Sequence, residues 1–278
     1  MAIRDILVHL DAAPAAAARL DLAAALARRH GARLTGLMVI DIVLPPIATP
    51  DGGGAALGPL LEAMRRDALV EAEGIRTRFE ETRSRHGVAG EWRMPEGLTA
   101  PLVARHGRTA DLVVLGQPDP EGGAPNATAV FEGALFSSGR PVLVVPYAGR
   151  FTDVGRRALI AWNGRREAAR AVHDALPLLA GGEHALVLTV GPEPPEAEDD
   201  PSAELLRHLA RHDLPVSAAH EVAGDLDVAD FILNRAAESG ADLLVMGAYG
   251  HSRLREFVLG GATRRILRQM TLPVLMAH

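Results

Sequence analysis

The chain has 278 residues, a formal net charge of −6 and a hydrophobic fraction of 48%. That length fits one large domain or two of ordinary size, and that hydrophobic fraction excludes a disordered tail protein. Cysteine is absent, which excludes disulfides, thiolate metal sites and thiol catalysis. All 29 basic residues are arginine, so sites that require a lysine, such as the Walker A loop, are also excluded.

The N-terminal segment and the overall charge predict a cytoplasmic protein. Residues 1–11 lack the basic region, the long apolar stretch and the cleavage site of a signal peptide. No run of about 18 apolar residues is present that could span a membrane. Because the charge balance is acidic and no basic stripe exists, we expect neither a membrane nor a nucleic acid as a partner.

The two halves of the chain repeat one pattern. Each begins with a short apolar run, ending in Asp11 or Asn163, and continues with an Ala/Arg-rich stretch typical of an amphipathic helix. Each closes with two matching apolar segments, 110–116 with 241–247 and 140–145 with 272–277. The repeat predicts two tandem domains, residues 1–148 and residues 154–278.

Apolar runs alternate with helical patterns within each half. In the first half, the Pro/Gly/Ala-rich stretch 44–59 predicts an inserted loop. In the second half we predict strands at 157–162, 185–191, 215–222, 242–247 and 273–277. Helices are predicted at 165–180, 201–212, 226–239 and 260–270. Continuous apolar strands between helices are typical of a doubly wound parallel α/β domain, with both sheet faces covered.

Four glycines in the second half indicate a phosphate site. Gly247 and Gly250 follow the fourth strand of this half, and Gly260 and Gly261 open its last helix. Glycine lets the backbone approach a ligand closely, and a helix N-terminus offers free N–H groups to an anion. Thr263 offers a hydroxyl donor. The alternative interpretation is that these are ordinary turn and cap glycines.

The first half keeps only part of this arrangement. Ligands of open α/β sheets bind beyond the carboxyl ends of the strands where the strand order reverses, so we expect Asn163 to lie beside Gly247. The first half has Asp11 at the matching position. Its second glycine is missing, however, and Pro118 and Pro120 remove two backbone donors. We therefore expect at most one nucleotide per chain, in the second half.

The spacing Gly-x2-Gly-x9-Gly, made by Gly247, Gly250 and Gly260, resembles the nucleotide-binding motif of the universal stress protein family. The resemblance covers nearly the whole chain as two copies. It implies a five-stranded sheet of order 3-2-1-4-5 in each half. It also implies that the last strands of the two halves pair, which gives an intramolecular pseudo-dimer. The implied ligand is ATP, an adenine nucleotide, with Mg²⁺.

The resemblance carries a set of expected binding residues and two departures. Besides the three glycines of the motif, the expected residues are Asn163, Val190, His251, Gly261, Ala262 and Thr263. Gly261 stands where the family has Ser or Thr, and Asn163 stands where ATP-binding members have an acidic residue. Each departure removes a contact or weakens it.

Three functions follow from these residues. The first is a stress-response regulatory protein that binds ATP and acts through protein partners. The alternative is an interaction or scaffold protein, or a sensor of another small ligand. A slow ATPase is the weakest interpretation, because no general base accompanies the glycines and only Asp242 and Glu256 are acidic candidates for Mg²⁺.

Two further features of the sequence bear on metal binding and on assembly. His208 and His212 have the spacing of two metal ligands on a helix, but no third ligand is evident, so we expect a solvated helix face. Assembly beyond the intramolecular pair, such as a homodimer, is left open by the sequence.

Overall fold

The computed structural model describes residues 2–42, 54–119, 124–191, 202–224, 226–248 and 261–278. Strands and helices alternate along these residues. The N-terminal half contains β1 (Asp5–His9), α1 (Ala16–His30), β2 (Arg33–Leu37), α2 (Gly54–His86), β3 (Gly90–Arg93), α3 (Thr99–Gly107), β4 (Leu112–Gly116), α4 (Ala127–Ser137) and β5 (Val142–Val145). The C-terminal half contains β6 (Arg157–Ala161), α5 (Arg166–Leu179), β7 (His184–Val190), α6 (Ala203–Ala210), β8 (Val216–Glu221), α7 (Val228–Glu238), β9 (Leu243–Gly247), α8 (Gly261–Gln269) and β10 (Val274–Ala277).

All ten strands form one sheet of order β3-β2-β1-β4-β5-β10-β9-β6-β7-β8. Neighbouring strands within each half are parallel, and each half has the predicted order 3-2-1-4-5. The two halves join where β5 and β10 pair in antiparallel register, with Val144 opposite Val274. The predicted fold class and the predicted pairing of the last strands are both confirmed.

Helices cover both faces of this sheet. Residues of α1, α2, α5 and α6 pack into one apolar layer, and residues of α3, α4, α7 and α8 pack into the other. Because aromatic residues make up only 4% of the chain, Ala, Leu and Val fill most of both layers. Small alanines let the helices lie close to the strands, which keeps the packing dense.

The predicted element bounds in the C-terminal half agree with the observed ones to within one or two residues. The predicted loop 44–59 is wrong at its end, because α2 begins at Gly54 and includes Pro59. Residues 43–53 lie outside the described residues. The later turns of α2 bury Ala72, Ile75 and Phe79 against the core, and this packing stabilises a helix that local Gly and Pro signals argue against.

None of the helices in the described part of the chain combines the length and the apolar composition needed to cross a membrane.

Two side chains, the buried Gln117 and the partly exposed Arg29, make polar contacts that join the halves beside the strand pairing. Gln117 follows β4 and is 5% exposed; its Nε2 donates to the carbonyl oxygen of Leu267 in α8 at 2.8 Å. Its Oε1 accepts from the backbone N–H of Tyr147 at 3.2 Å. The Arg29 guanidinium at the end of α1 donates to the carbonyl oxygens of Val154 and Leu178. These contacts attach α8 and α5 of the second half to the first half.

We predict that Gln117→Leu lowers the free energy of unfolding by about 1–3 kcal/mol, because it removes the partner of the buried Leu267 carbonyl and of the part-buried Tyr147 N–H. Urea denaturation followed by circular dichroism measures the change. Gln269→Leu is the matched control, since Gln269 is exposed on α8, the helix that contains Leu267. Equal stability of the two variants would contradict the role given to Gln117.

Candidate functional site

The carboxyl end of the C-terminal half brings Asn163 beside Gly247. β6 and β9 are parallel neighbours in which Ala161 pairs with Met246, so the next residues of both strands emerge side by side. The Asn163 side chain is exposed, and its Oδ1 accepts from the backbone N–H of Arg165 at 3.1 Å. Asp11 makes the same turn in the N-terminal half, where its Oδ1 accepts from the Ala13 N–H at 3.1 Å. The predicted juxtaposition at this edge is therefore observed.

Gly247 lies against the backbone at the start of α5. A Cβ at this position would overlap the Ala168 nitrogen and the Glu167 carbonyl carbon. Neither of those backbone atoms can move away as a flexible side chain could. Gly247 is thus required for helix–strand packing, whatever it contributes to a ligand.

The N-terminal end of α8 lies at the same edge of the sheet. Because α8 connects the parallel strands β9 and β10, it runs back along the sheet and begins near the strand carboxyl ends. Gly261 and Ala262 are exposed, and a Cβ at Gly261 would meet no atom of the described residues within 4 Å. Thr263 is only 3% exposed and lies in the buried part of the helix. The first backbone N–H groups of α8 lack a partner within the helix, which favours an anion there.

The other predicted residues divide into two groups. Val190 is half-buried at the end of β7 and packs against the layer formed by α7 and α8. Gly250, His251 and Gly260 lie outside the described residues. Their predicted contacts stay predictions.

Glu167 is a carboxylate at this edge that the sequence did not single out. It is 7% exposed, in the first turn of α5, and its Oε1 accepts from the Arg166 Nε at 2.6 Å. Burial raises the pKa of Glu167, but hydrogen bonds from Arg166 and from its own backbone N–H, with the charges of Arg166 and His278, outweigh burial and lower the pKa. Glu167 is therefore held ionised. The sequence signal that could have indicated Glu167 was its place in the first turn of a predicted helix, where a negative charge is favoured.

Asp242 belongs to the opposite end of the sheet. It precedes β9, and its carboxylate accepts from the backbone N–H groups of Gly155, Arg156 and Arg157. Asp111 plays the same part in the N-terminal half, where it accepts from the N–H groups ahead of β1. Asp242, one of the two acidic candidates for Mg²⁺, is therefore held at the end of the sheet away from the glycine motif. Glu256, the other candidate, lies outside the described residues.

Arg19 fills the matching edge of the N-terminal half. Its side chain is 4% exposed and lies 3.0 Å from Asp11 Oδ1 through Nη2. A Cβ at Gly116 would overlap the Arg19 guanidinium. Counted from the matching residues Asp11 and Asn163, Ala171 of α5 occupies the position that Arg19 has in α1. Ala171 is fully buried. An arginine thus separates α1 from β4, whereas an alanine lets α5 pack directly on β9.

Little space remains beside Arg19. The cavity lined by His9, Asp11 and Gly116 has a volume of about 20 Å³, which is room for about one water molecule. Burial, followed by the charge of Arg19, lowers the pKa of His9 to about 4, against the opposing charge of Asp11. His9 is therefore neutral at pH 7.

The rings of His208, in α6, and His212, two residues after the helix, contact each other. Their ring centroids are 4.8 Å apart, edge to face. Among the residues that the structure describes, no group of three or more His, Cys, Asp or Glu side chains is placed to hold a metal ion.

Comparison with known proteins shows what the second half of the chain is similar to. The model of the universal stress protein family matches residues 155–278. The C-terminal half is therefore similar to universal stress protein domains. A 38-residue segment is 50% identical to the universal stress protein Slr1230 of Synechocystis, and the match spans 14% of this chain and 13% of that relative.

Solved structures of universal stress proteins share the fold of the whole chain. A universal stress protein from Archaeoglobus fulgidus aligns with a TM-score of 0.75 and 17% identity, over 98% of this chain and 95% of that one. A putative universal stress protein from Pseudomonas aeruginosa aligns with a TM-score of 0.60 and 16% identity, over 99% and 93% of the two chains. The tandem arrangement of two universal-stress-protein folds is therefore supported along the full length.

The surroundings of Gly247 and Gly261 predict opposite responses to an added methyl group. We expect Gly247→Ala to lower the free energy of unfolding by about 1–3 kcal/mol, because the new Cβ meets backbone atoms. Gly261→Ala should leave stability unchanged or slightly higher, since its Cβ meets open space and alanine favours a helix. Thermal unfolding of both variants tests this difference. A stable Gly247→Ala protein would refute the packing described for α5 and β9.

The lowered pKa of His9 predicts that the protein loses stability in mild acid. The unfolded chain binds a proton near pH 6.5, whereas folded His9 does so only near pH 4. As the pH falls from 6.5 to 4, proton uptake by the unfolded state therefore lowers the free energy of unfolding by up to about 3 kcal/mol. Replacing His9 by Gln should flatten that part of the stability curve. His212→Gln, at an exposed position, should not. Parallel curves for the two variants would contradict the assignment.

Proposed function

We propose that the C-terminal half binds an adenine nucleotide, ATP, at the carboxyl edge of its strands. In this proposal the protein is a cytoplasmic stress-response regulator that signals through protein contacts, with little or no catalysis. The expected ligand residues remain Asn163, Val190, Gly247, Gly250, His251, Gly260, Gly261, Ala262 and Thr263.

One observation carries the proposal. The end of β6 with Asn163, the end of β9 with Gly247 and the first turn of α8 with Gly261 meet at one edge of the sheet. The exposed N-terminus of α8 supplies backbone donors for phosphate, and the Asn163 turn presents an amide beside it. This is where open α/β sheets bind ligands, beyond the strand carboxyl ends.

The proposed stoichiometry is one nucleotide per chain. In the N-terminal half, the Arg19 guanidinium lies beside Gly116, and the cavity there measures about 20 Å³. ATP needs a site of several hundred Å³. We propose that the N-terminal half, within residues 1–148, is a degenerate copy whose contribution is to support the ten-stranded sheet.

Mg²⁺ would enter this site with the phosphates. Mg²⁺ usually keeps several waters and takes ligands from substrate phosphates and one or two carboxylates. At the described edge, the Glu167 carboxylate is already bonded to Arg166, and Asp242 is held at the other end of the sheet. We therefore propose phosphate oxygens and water as the ligands of the ion, an arrangement that stabilises bound ATP without activating a nucleophile.

Isothermal titration of the nucleotide-stripped protein with ATP and Mg²⁺ tests the proposal. We expect one site per chain. Gly261→Ser should bind about tenfold more tightly, because it adds a hydroxyl donor to phosphate at a position with open space. Gly261→Glu should bind at least about tenfold more weakly, since a carboxylate at the helix N-terminus repels phosphate.

The matched control is Gly74→Glu. Gly74 is a helical glycine of α2 whose Cβ would also meet no atom within 4 Å, so this variant adds the same charge away from the site. Absence of binding heat in both the natural protein and Gly261→Ser would reject the nucleotide. The interaction or scaffold function, or a sensor of another small ligand, would then replace it.

A further inference from the structure

A second candidate site lies between α5 and α6 in the C-terminal half. The cleft has a volume of about 720 Å³, within the range of small-molecule sites. Trp162, Val172 and Leu205 supply its apolar surface. Arg207 of α6 and Arg211, at the C-cap of that helix, supply charge. A half-buried aromatic ring beside paired cations is suited to a ligand that is apolar at one end and anionic at the other.

This cleft is distinct from the proposed nucleotide site. Trp162, Val172 and Leu205 belong to the apolar layer formed with α1, α2, α5 and α6. Val190, the residue expected to face a nucleotide, packs in the layer formed with α7 and α8. The sheet itself therefore separates the cleft from Val190, and a ligand in the cleft would not need the glycine motif.

Both arginines of the cleft carry a charge that no described residue neutralises through an ion pair. Arg207 lies in the last turn of α6, and Arg211 is the residue that caps its C-terminus in a helical conformation. Both are exposed, and their spacing of four residues places them on the same side. Among the described residues neither forms an ion pair, whereas Arg170 of the same half pairs with Asp174. Glu204 lines the cleft as well, and the two guanidinium groups outweigh its charge.

The histidines of the cleft respond to the same positive potential. Burial lowers the pKa of His208, and the charges of His212, Arg211 and His173 lower it further. His173 and His208 both line the cleft. A negative group bound there would relieve this repulsion, so the local charges favour an anionic occupant.

We propose that this cleft binds a planar aromatic anion, with its ring against Trp162 and its acidic group between Arg207 and Arg211. Arginine presents a planar fork of donors that matches a carboxylate or a phosphate in geometry. The ring supplies apolar contact with Trp162, Val172 and Leu205. This proposal does not depend on nucleotide binding.

The protein offers a specific reporter for this site. It has two tryptophans, and the other one, Trp92, packs against Phe79 in the N-terminal half with ring centroids 5.6 Å apart. In Trp92→Phe the single indole N–H resonance of a ¹H–¹⁵N spectrum therefore reports Trp162. We would titrate this variant with 1-naphthoate, with 1-naphthalenemethanol as the neutral ring and acetate as the anion without a ring.

The expected result is a saturable shift of the Trp162 resonance with 1-naphthoate and a much weaker response to either control compound. Adding Arg207→Ala and Arg211→Ala should weaken 1-naphthoate binding at least about tenfold. The control double variant, Arg156→Ala with Arg157→Ala, removes the same charge at exposed positions at the other end of β6 and should bind normally.

Three results would overturn the proposal. Equal binding of 1-naphthalenemethanol would mean a nonspecific apolar surface, and unchanged binding in the Arg207/Arg211 variant would place the anion elsewhere. Absence of any shift would mean that no such site exists. Gly261→Glu should still bind 1-naphthoate, so failure at the glycine motif and failure in the cleft are separate results.

Discussion

The antiparallel pairing of β5 with β10 is the constraint on which the rest of this molecule depends. Each half of the chain has a five-stranded sheet that would expose the edge of its last strand, and an exposed apolar edge is prone to pairing with other chains. Joining the two edges hides both within one ten-stranded sheet. The same seam is reinforced by Gln117 and Arg29, whose contacts with Leu267 and Leu178 fix α8 and α5 against the first half.

Much of this fold follows from the sequence because its main signals are local and repeated. Continuous apolar runs between helical patterns predicted the strands of the C-terminal half, and the repeat predicted a second copy of the same unit. The beginning of α2 could not be predicted in this way. Gly54, Gly58 and Pro59 locally indicate a loop, and only the burial of Ile75 and Phe79 by distant parts of the chain stabilises the helix.

Strand ends and glycine spacing were sufficient to predict only part of the candidate site. The juxtaposition of Asn163 and Gly247 followed from strand order, and the structure contains it. The packing role of Gly247 depends on how closely α5 approaches β9, which no local pattern records. Arg19 looked like one more charged residue of an Ala/Arg-rich helix. Its burial requires Gly116, which only tertiary structure brings beside it.

The difference between the halves therefore depends on one position in the first helix of each half, which is Arg19 in α1 and Ala171 in α5. Where α1 carries Arg19, a buried cation and its partner Asp11 occupy the edge of the sheet. Where α5 carries Ala171, the helix backbone contacts Gly247 directly and the edge keeps an exposed asparagine turn. That turn also connects the two proposed ligand sites, because Trp162 lines the cleft and Asn163, the next residue, borders the glycine motif. The two proposed sites therefore involve adjacent residues at the carboxyl end of β6.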